Sequence, residues 1–517
     1  MAQYVMGIDV GTTGAKAMVT DLQGNVIGKG YREYQLDYPH KDWVEVRHDY
    51  LMEMIFQAVR EAVETSGVSP ETIEAVSFSL NRSTFCLVDE QMNVMENKHI
   101  IWLDARSESV MDDINAKIDA DRRNEITGMP GGNIFALTKL YWIKENEPEI
   151  YEKAKYFAPL DSVVTWAFGA DHFVAEISNA SACGLIDVNT HGWSEEIIHS
   201  LGFRPEMFPP LVESCQVIGK VNKETAEKTG LAQGCKIVSG SGDQQVSALG
   251  AGVIDDGDVS LTIGTFGLLA VGLAQPEFSR FHGMMIPLTP RKGVFQIEGP
   301  QVSGATCYRW CRDTLCKEDS QEAEAKGEDV FSLMGERYIQ QSVPGSNGVL
   351  FYSALFGSGY PTWDTQATGM FLGLHSTTTK ADMVRSVMEG ITFEARNILE
   401  SIMETGAEMN EIITVTGGAS KSPEWCQIIA DVFQRKIRTL NVPDSAIIGA
   451  AGIAAVGAGL YGSLEEMVEH MVHFGQVIEP ERENAPVYDA MFSIYRDAYK
   501  GLKQENIFAR LCRCREQ

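Results

Sequence analysis

Long apolar runs are missing from this sequence. In 517 residues there is no stretch of about 18 uninterrupted apolar residues, the length a helix needs to cross a bilayer. No membrane partner is expected. The segment Met1-Ala2-Gln3-Tyr4-Val5-Met6-Gly7 also lacks the basic stretch and apolar core of a secretory leader, so a cytoplasmic address is expected. Basic residues are scarce: 43 Lys and Arg stand against 71 Asp and Glu, a formal charge of -28. That balance argues against a nucleic-acid partner, because a phosphate backbone needs basic surface. Any polyanionic ligand would have to be met by backbone amides and a cation. The ten cysteines are scattered from Cys86 to Cys514, unlike the dense framework of a small disulfide-stapled domain. Cys307, Cys311 and Cys316 form the only cluster of three; companion histidines are lacking, so they read as small buried hydrophobes and not as metal ligands. Neither a GxxxxGK[ST] phosphate loop nor a GxGxxG dinucleotide turn occurs in a fitting context.

What remains is a globular composition, 44% hydrophobic and 22% charged, long enough for two or more domains. Apolar residues run from Tyr4 to Ile8, break at Asp9-Val10-Gly11-Thr12-Thr13-Gly14 and resume from Ala15 to Thr20, the pattern of a β-hairpin. A similar unit recurs half a chain later, where Val259 to Ile263 leads into Gly264-Thr265-Phe266-Gly267 and then Leu268 to Gly272. Two such units suggest an internal duplication. Helical spacing marks Tyr50 to Ser66, Lys139 to Ala154, Lys380 to Glu404 and Ser422 to Val432. Strands alternating with helices make the class α/β. The repeat places a domain boundary near residues 248–254, giving domains 1–250 and 251–517. Residues 316–330, rich in Glu, Asp and Lys, read as a solvated surface excursion, and the end from Arg510 as a frayed tail.

Three turns carry candidate chemistry. In Asp9 to Lys16 the glycines let the backbone approach an anion, and amides and threonine hydroxyls can donate to phosphate oxygens, with Asp9 placed to hold a hydrated magnesium ion. A tight hairpin turn satisfied by its own Asp and Thr explains the same residues. In Ile237 to Val246, a short strand and a Gly/Ser turn deliver Asp243 to the start of a helix. There it is either an N-cap or a catalytic base. The run Ile412 to Ser422 is a further strand, turn and helix, with Gly417 and Gly418 bare enough for a flat ring to lie on the backbone.

These turns together resemble those of the FGGY carbohydrate kinases, over nearly the whole chain. The stretch Gly369-Met370-Phe371-Leu372-Gly373-Leu374 followed by Asp382 to Gly390 is similar to the family's C-terminal signature. Trp102-Leu103-Asp104-Ala105-Arg106, Lys139-Leu140-Tyr141-Trp142 and Ser178-Asn179-Ala180-Ser181 fall in the family's order. The resemblance implies two ribonuclease-H-like domains of the actin and Hsp70 type with the active-site cleft between them, sugar bound mainly by the N-terminal half and ATP by the C-terminal half. It implies Asp9 on magnesium, Thr12 and Thr13 near the γ-phosphate, Gly264 and Thr265 as a second phosphate turn, Gly304 against the nucleotide, and Gly417 with Gly418 at the adenosine. Asp243 becomes the base, and Asn81, Arg82, Trp102 and Asp104 join it around the sugar. A homodimer is also what the family suggests.

The substrate positions depart from the family's patterns. Asn81-Arg82-Ser83-Thr84 stands where glycerol kinases have Asn-Gln-Arg-Glu and xylulokinases Gln-Met-His-Gly, while Tyr308 to Asp313 and Pro361-Thr362-Trp363 lean toward the autoinducer-2 kinase branch. The resemblance thus implies phosphorylation of a small carbohydrate, a pentulose such as xylulose first and another sugar or polyol next. An actin-like ATPase or a sugar sensor derived from a kinase are the rival classes.

Overall fold

The apolar alternation of the first twenty residues becomes a strand pair because one side of each strand must be buried, and the computed structural model shows what covers it. The structure describes residues 3–515 except 282 and 443. The chain divides into two compact units. The first comprises Met1–Asp255, Gly272–Gln296 and Asp444–His473; the second comprises Asp256–Val271, Ile297–Pro443 and Phe474–Gln517. The division therefore crosses the chain several times, and residues 444–473 fold with the first unit although they lie far into the second half of the sequence.

In the first unit, β1 (Tyr4–Val10), β2 (Gly14–Asp21) and β3 (Val26–Glu33) form an antiparallel meander. β4 (Ile73–Leu80) lies parallel to β1, and β5 (Val217–Lys220) and β6 (Lys236–Val238) continue the sheet in the order β5-β6-β4-β1-β2-β3. The short β7 (Ser241–Gly242) pairs with β4 beyond β6. The helix His48–Ser66 puts Leu51, Ile55, Ala58, Val59 and Ala62, spaced three and four apart, into the core under β1 to β3. The helix Ser445–Gly457 packs on β1 so closely that a Cβ at Gly7 would sit 2.9 Å from the Ala451 nitrogen.

The second unit repeats this plan. β8 (Val259–Ile263) and β9 (Gly267–Ala274) form the second hairpin, followed by β10 (Val294–Gln301), β11 (Ile412–Gly417), β12 (Lys436–Leu440) and β13 (Phe474–Ile478), in the order β10-β9-β8-β11-β12-β13. β8, β11 and β12 are parallel neighbours, as β1, β4 and β6 are, and each sheet ends on an antiparallel strand. The duplication suggested by two similar turns is thus present as two sheets of one topology.

One expectation needs correction and two need refinement. The helix expected from Lys139 to Ala154 is two, Ala136–Asn146 and Pro148–Lys153, because Pro148 cannot donate to the preceding turn and starts a new helix at its first position. Residues 316–330 are mostly exposed, as expected, but ordered: Lys317–Lys326 is helical and anchored by buried Asp319, which accepts from Tyr338 Oη at 2.7 Å, from Lys380 Nζ at 3.0 Å and from Arg337. The segment from Arg510 continues the helix Ile507–Arg515 with its described side chains exposed or half-buried, while Phe508 ahead of it is buried beside Tyr352 and Tyr499; residues 516–517 lie outside the described ones. Cys307, Cys311 and Cys316 are all buried.

One buried charge in the second unit yields a stability prediction. Glu394, 3% exposed, accepts from Ser353 Oγ at 2.7 Å and Gln301 Nε2 at 3.1 Å, yet its Oε1 and Gln301 Oε1 both lack a hydrogen-bond partner among the described residues. Burial pushes its carboxyl up to about 7. Because the folded value lies above the ordinary 4.5, the fold binds the extra proton, and stability is gained as pH falls from about 7 and is complete below 4.5. Glu394→Gln is expected to raise the unfolding free energy at pH 8, by up to about 3 kcal/mol, and to flatten its pH dependence in that window, as read by urea melts at several pH values.

Candidate active site

Parallel pairing brings together residues that are remote in sequence. In the first unit Asp9 is level with Ser79 on β4, and Ser79 with Ser241 on β7; one step on, Val10, Leu80 and Gly242 are level. Three strands therefore end on one line. Beyond it emerge the turn of Thr12 and Thr13, the pair Asn81-Arg82, and Asp243. The ends of parallel strands are where an α/β sheet offers backbone and side chains to a ligand, since the chain must turn there.

The turn after β1 is held from several sides. Gly11 N donates to Gly14 O at 3.0 Å, Tyr34 N to Thr13 O at 2.9 Å, and Tyr34 Oη to Gly11 O. Buried Asn81 donates Nδ2 to Val10 O at 3.0 Å and Gly11 O at 3.1 Å, and its Oδ1 accepts from Thr84. Trp102 Nε1 donates to Thr12 Oγ1 at 2.9 Å, and Thr13 stands exposed at the tip. The Asp9 carboxyl accepts from Ser79 Oγ at 2.6 Å and is pushed up to about 6, first by burial, then by the charges of Asp444 and Asp243 against the help of Ser79 and Lys16.

Asp243 opens the helix Asp243–Gly250, but it does not cap it. Gly242 holds the cap position and no side chain caps this end; Asp243 Oδ1 accepts from the adjacent Gln244 N at 2.9 Å and Oδ2 from Gln244 Nε2 at 3.2 Å. The N-cap alternative therefore fails, because a capping carboxylate reaches the amides two or three residues on. Arg82 Nε lies 3.4 Å from Asp243 Oδ1, and the Asp243 side chain is a quarter exposed. Burial raises its pKa, and Arg82 opposes the rise. A carboxylate tuned upward, oriented by a guanidinium and open on one side is fitted to take a proton from a hydroxyl.

Asp104 is placed differently. It is 1% exposed, and its oxygens accept from Arg106 Nε at 2.8 Å, Arg106 Nη2 at 2.9 Å and Val44 N at 2.6 Å. Arg106 continues to Glu45 at 2.6 Å and stacks on Trp43. Asp104 thus fixes the segment that carries Trp102. Sequence reading passed over Ser79, Tyr34, Asp444 and buried Glu176, which accepts from Ser178 and Ser214, Ser178 in turn bonding Ser241 ahead of Asp243. Of these only Ser79 left a trace, as a polar residue in an apolar strand.

In the second unit Ile263, the last residue of β8, is level with Gly417 on β11. Gly417 has φ +78°, and a Cβ there would stand 2.6 Å from Ile263 O. The turn after β8 closes by Gly264 N to Phe266 O at 2.9 Å, and Ala305 N donates to Gly264 O at 2.8 Å. At Gly304 a Cβ would meet Phe266 C at 2.8 Å and Gly264 O at 2.9 Å, so only glycine lets these segments touch. Thr265 O accepts from Thr306, and Thr265 Oγ1 from Arg309 Nη2 at 2.6 Å. Gly264, Thr265, Gly304 and Gly417 thus share one spot, and Gly418 begins the next turn, Gly418–Lys421.

A divalent cation fits the donor chemistry of the first turn. Among the described residues no three His, Cys, Asp or Glu side chains form a metal cage; a hard cation that keeps its waters needs only one or two carboxylates beside phosphate oxygens. The Asp9 carboxyl is raised by burial and by the charges of Asp444 and Asp243 beyond what Ser79 and Lys16 offset, and a cation would relieve it.

The N-terminal domain model of the FGGY family of carbohydrate kinases matches residues 4–250, and the C-terminal domain model matches residues 259–458. The chain belongs to this family. As an FGGY kinase it is a phosphotransferase acting on carbohydrate hydroxyls, with ATP and a divalent metal implied by its class. It is 28% identical over 506 residues to the xylulose kinase of Bacillus subtilis (strain 168), covering 98% of each chain, and 26% identical over 505 residues to the gluconokinase of Bacillus licheniformis, covering 98% of this chain and 97% of the other. The crystal structure of ligand-bound xylulose kinase from Lactobacillus acidophilus superposes with a TM-score of 0.87 at 23% identity, covering 97% of this chain and 98% of that one. The fold of this kinase is accordingly the two-domain actin/Hsp70 type. The C-terminal model's last residues, from Asp444, belong by packing to the first unit.

Proposed function

We propose that this kinase transfers the γ-phosphoryl group of ATP to a hydroxyl of a pentulose, xylulose foremost. The observation that carries the reading is Asp243, a partly exposed carboxylate beside Arg82 at the strand ends that also bear Asp9. In this reading Asp243 accepts the proton of the sugar hydroxyl as it attacks, and Arg82 keeps the base oriented and ionised. Trp102 and Arg82 line the sugar, while Asn81 and Asp104 support it through the turn and Arg106. Thr12 and Thr13 receive the γ-phosphate, Gly264, Thr265 and Gly304 the other phosphates, and Gly417 with Gly418 the adenosine. Phosphoryl transfer asks little covalent chemistry of a protein, so positioning and charge supply most of the acceleration. Magnesium is the fitting cation, held through Asp9, where it would neutralise charge on the phosphate oxygens. The ten free cysteines suit a reducing compartment, and the cytoplasm supplies the ATP.

The xylulose kinases among the relatives favour a ketopentose, and the gluconokinase makes a hexonate the second reading. ADP release measured across ketopentoses, polyols and hexonates is expected to give the highest kcat/KM with a ketopentose. A clear preference for a hexonate would move the assignment to that class, and ADP release independent of any sugar would remove it.

A further inference from the structure

Lys16 and Asp444 are 428 positions apart in the sequence, yet Lys16 Nζ donates to Asp444 Oδ2 at 2.6 Å inside the first unit. Lys16 is the cross-strand partner of Asp9 in the β1–β2 register. Directly opposed residues of an antiparallel pair point to the same face of the sheet, so the lysine rises beside the carboxylate assigned to the cation. An ammonium and a divalent cation compete for one carboxylate. The ammonium is instead drawn to Asp444.

Asp444 is well placed for this. It stands at the cap position of the helix Ser445–Gly457 but accepts no capping bond from it, which leaves its carboxylate to Lys16. That helix is fixed on both sides. It meets β1 at Gly7 and the helix of Asp243 at Gly250 and Gly449, where no Cβ has room, and Ser445 Oγ lies 2.8 Å from Ser247 Oγ. The pair itself is partly open, with side chains 31% and 25% exposed.

We infer that Asp444 is a positioning residue that holds the Lys16 ammonium off Asp9 and so keeps that carboxylate open to the divalent cation. The inference rests on Asp9 being the cation ligand. Without Asp444, Asp9 is the carboxylate left across the strand from Lys16, and the ammonium settles there.

The test is Mn2+ binding to the full chain at saturating ADP, followed by the electron paramagnetic resonance of free Mn2+. Asp444→Asn is expected to weaken Mn2+ binding about 10- to 100-fold, the usual range for a residue acting through a ligand's surroundings. The double variant Lys16→Gln/Asp444→Asn is expected to recover wild-type affinity, because the competitor is gone. Wild-type affinity in Asp444→Asn would overturn the inference, as would a double variant no better than the single one. Lys16→Gln alone, which leaves Asp444 in place, should bind Mn2+ at least as tightly as wild type; a loss there would make the lysine a helper of the cation and overturn the inference even if Asp444→Asn fails to fold. Asp9→Asn separates the premise from the inference: undiminished Mn2+ affinity in that variant removes Asp9 as ligand, and a loss there with an indifferent Asp444→Asn removes only the role of Asp444.

Discussion

Asp243→Asn is expected to lower kcat about 10²- to 10⁴-fold, the usual contribution of general-base catalysis, while ADP affinity is retained. The same substitution should raise thermal stability. Burial lifts the Asp243 carboxyl above its ordinary value of 3.8, so the ionised form that catalysis needs is the form the fold disfavours. The linkage sign follows: a carboxyl with a raised folded pKa contributes stability that is complete below 3.8 and lost as pH rises through the folded value. Wild type should therefore become more stable on acidification through that window, and Asp243→Asn should respond less. Turnover runs the other way, failing as pH falls and the base is protonated. Arg82, which opposes the rise, provides an internal check: Arg82→Met is expected to move the acid limb of kcat/KM to higher pH. Near-normal turnover in folded Asp243→Asn would make another group the base.

Gly304→Ala should remove most nucleotide binding and leave the sugar site intact. The new Cβ would lie 2.8 Å from Phe266 C, 2.9 Å from Gly264 O and 3.0 Å from Gly267 N. All three are backbone atoms that no rotamer change can move aside. The turn of Gly264 and Thr265 must shift, and with it the hydrogen bond from Ala305 N to Gly264 O. Displacing phosphate donors by even a fraction of an ångström is expensive when binding depends on fixed amides. ADP affinity by calorimetry is expected to fall at least about tenfold, equal to about 1.4 kcal/mol, with intrinsic fluorescence still reporting sugar binding near Trp102. Unchanged ADP affinity would detach Gly304 from the nucleotide.

Much of the candidate site was legible as turns. Asp9 to Gly14 and Gly264 to Gly267 announce themselves by glycine and threonine between short apolar runs, because a strand that ends at a ligand must bend sharply and expose amides. Asp243 was legible as a carboxylate opening a helix, but not as uncapped; only the observed bonds to Gln244 distinguish those roles. Asp104 was a fair candidate by residue type, yet Arg106 and Val44 occupy its oxygens, and a satisfied buried carboxylate looks the same in sequence as a free one. The acidic stretch after Cys316 is solvated, as its composition suggests, except where Asp319 is buried because Arg337, Lys380 and Tyr338 reach it, and those partners lie outside any local window.

The sequence alone determined the local elements, the α/β class, the duplicated hairpins and the family, since each is written in short-range pattern or in the order of motifs. The tertiary structure alone decided which ends meet. β1, β4 and β7 finish level because parallel register is set by side chains packing across the sheet and not by any local signal. The same packing carries Asp444 from the second half of the chain to Lys16 in the first hairpin. Distance in space between remote segments is a property of the packed core, and no stretch of sequence contains it.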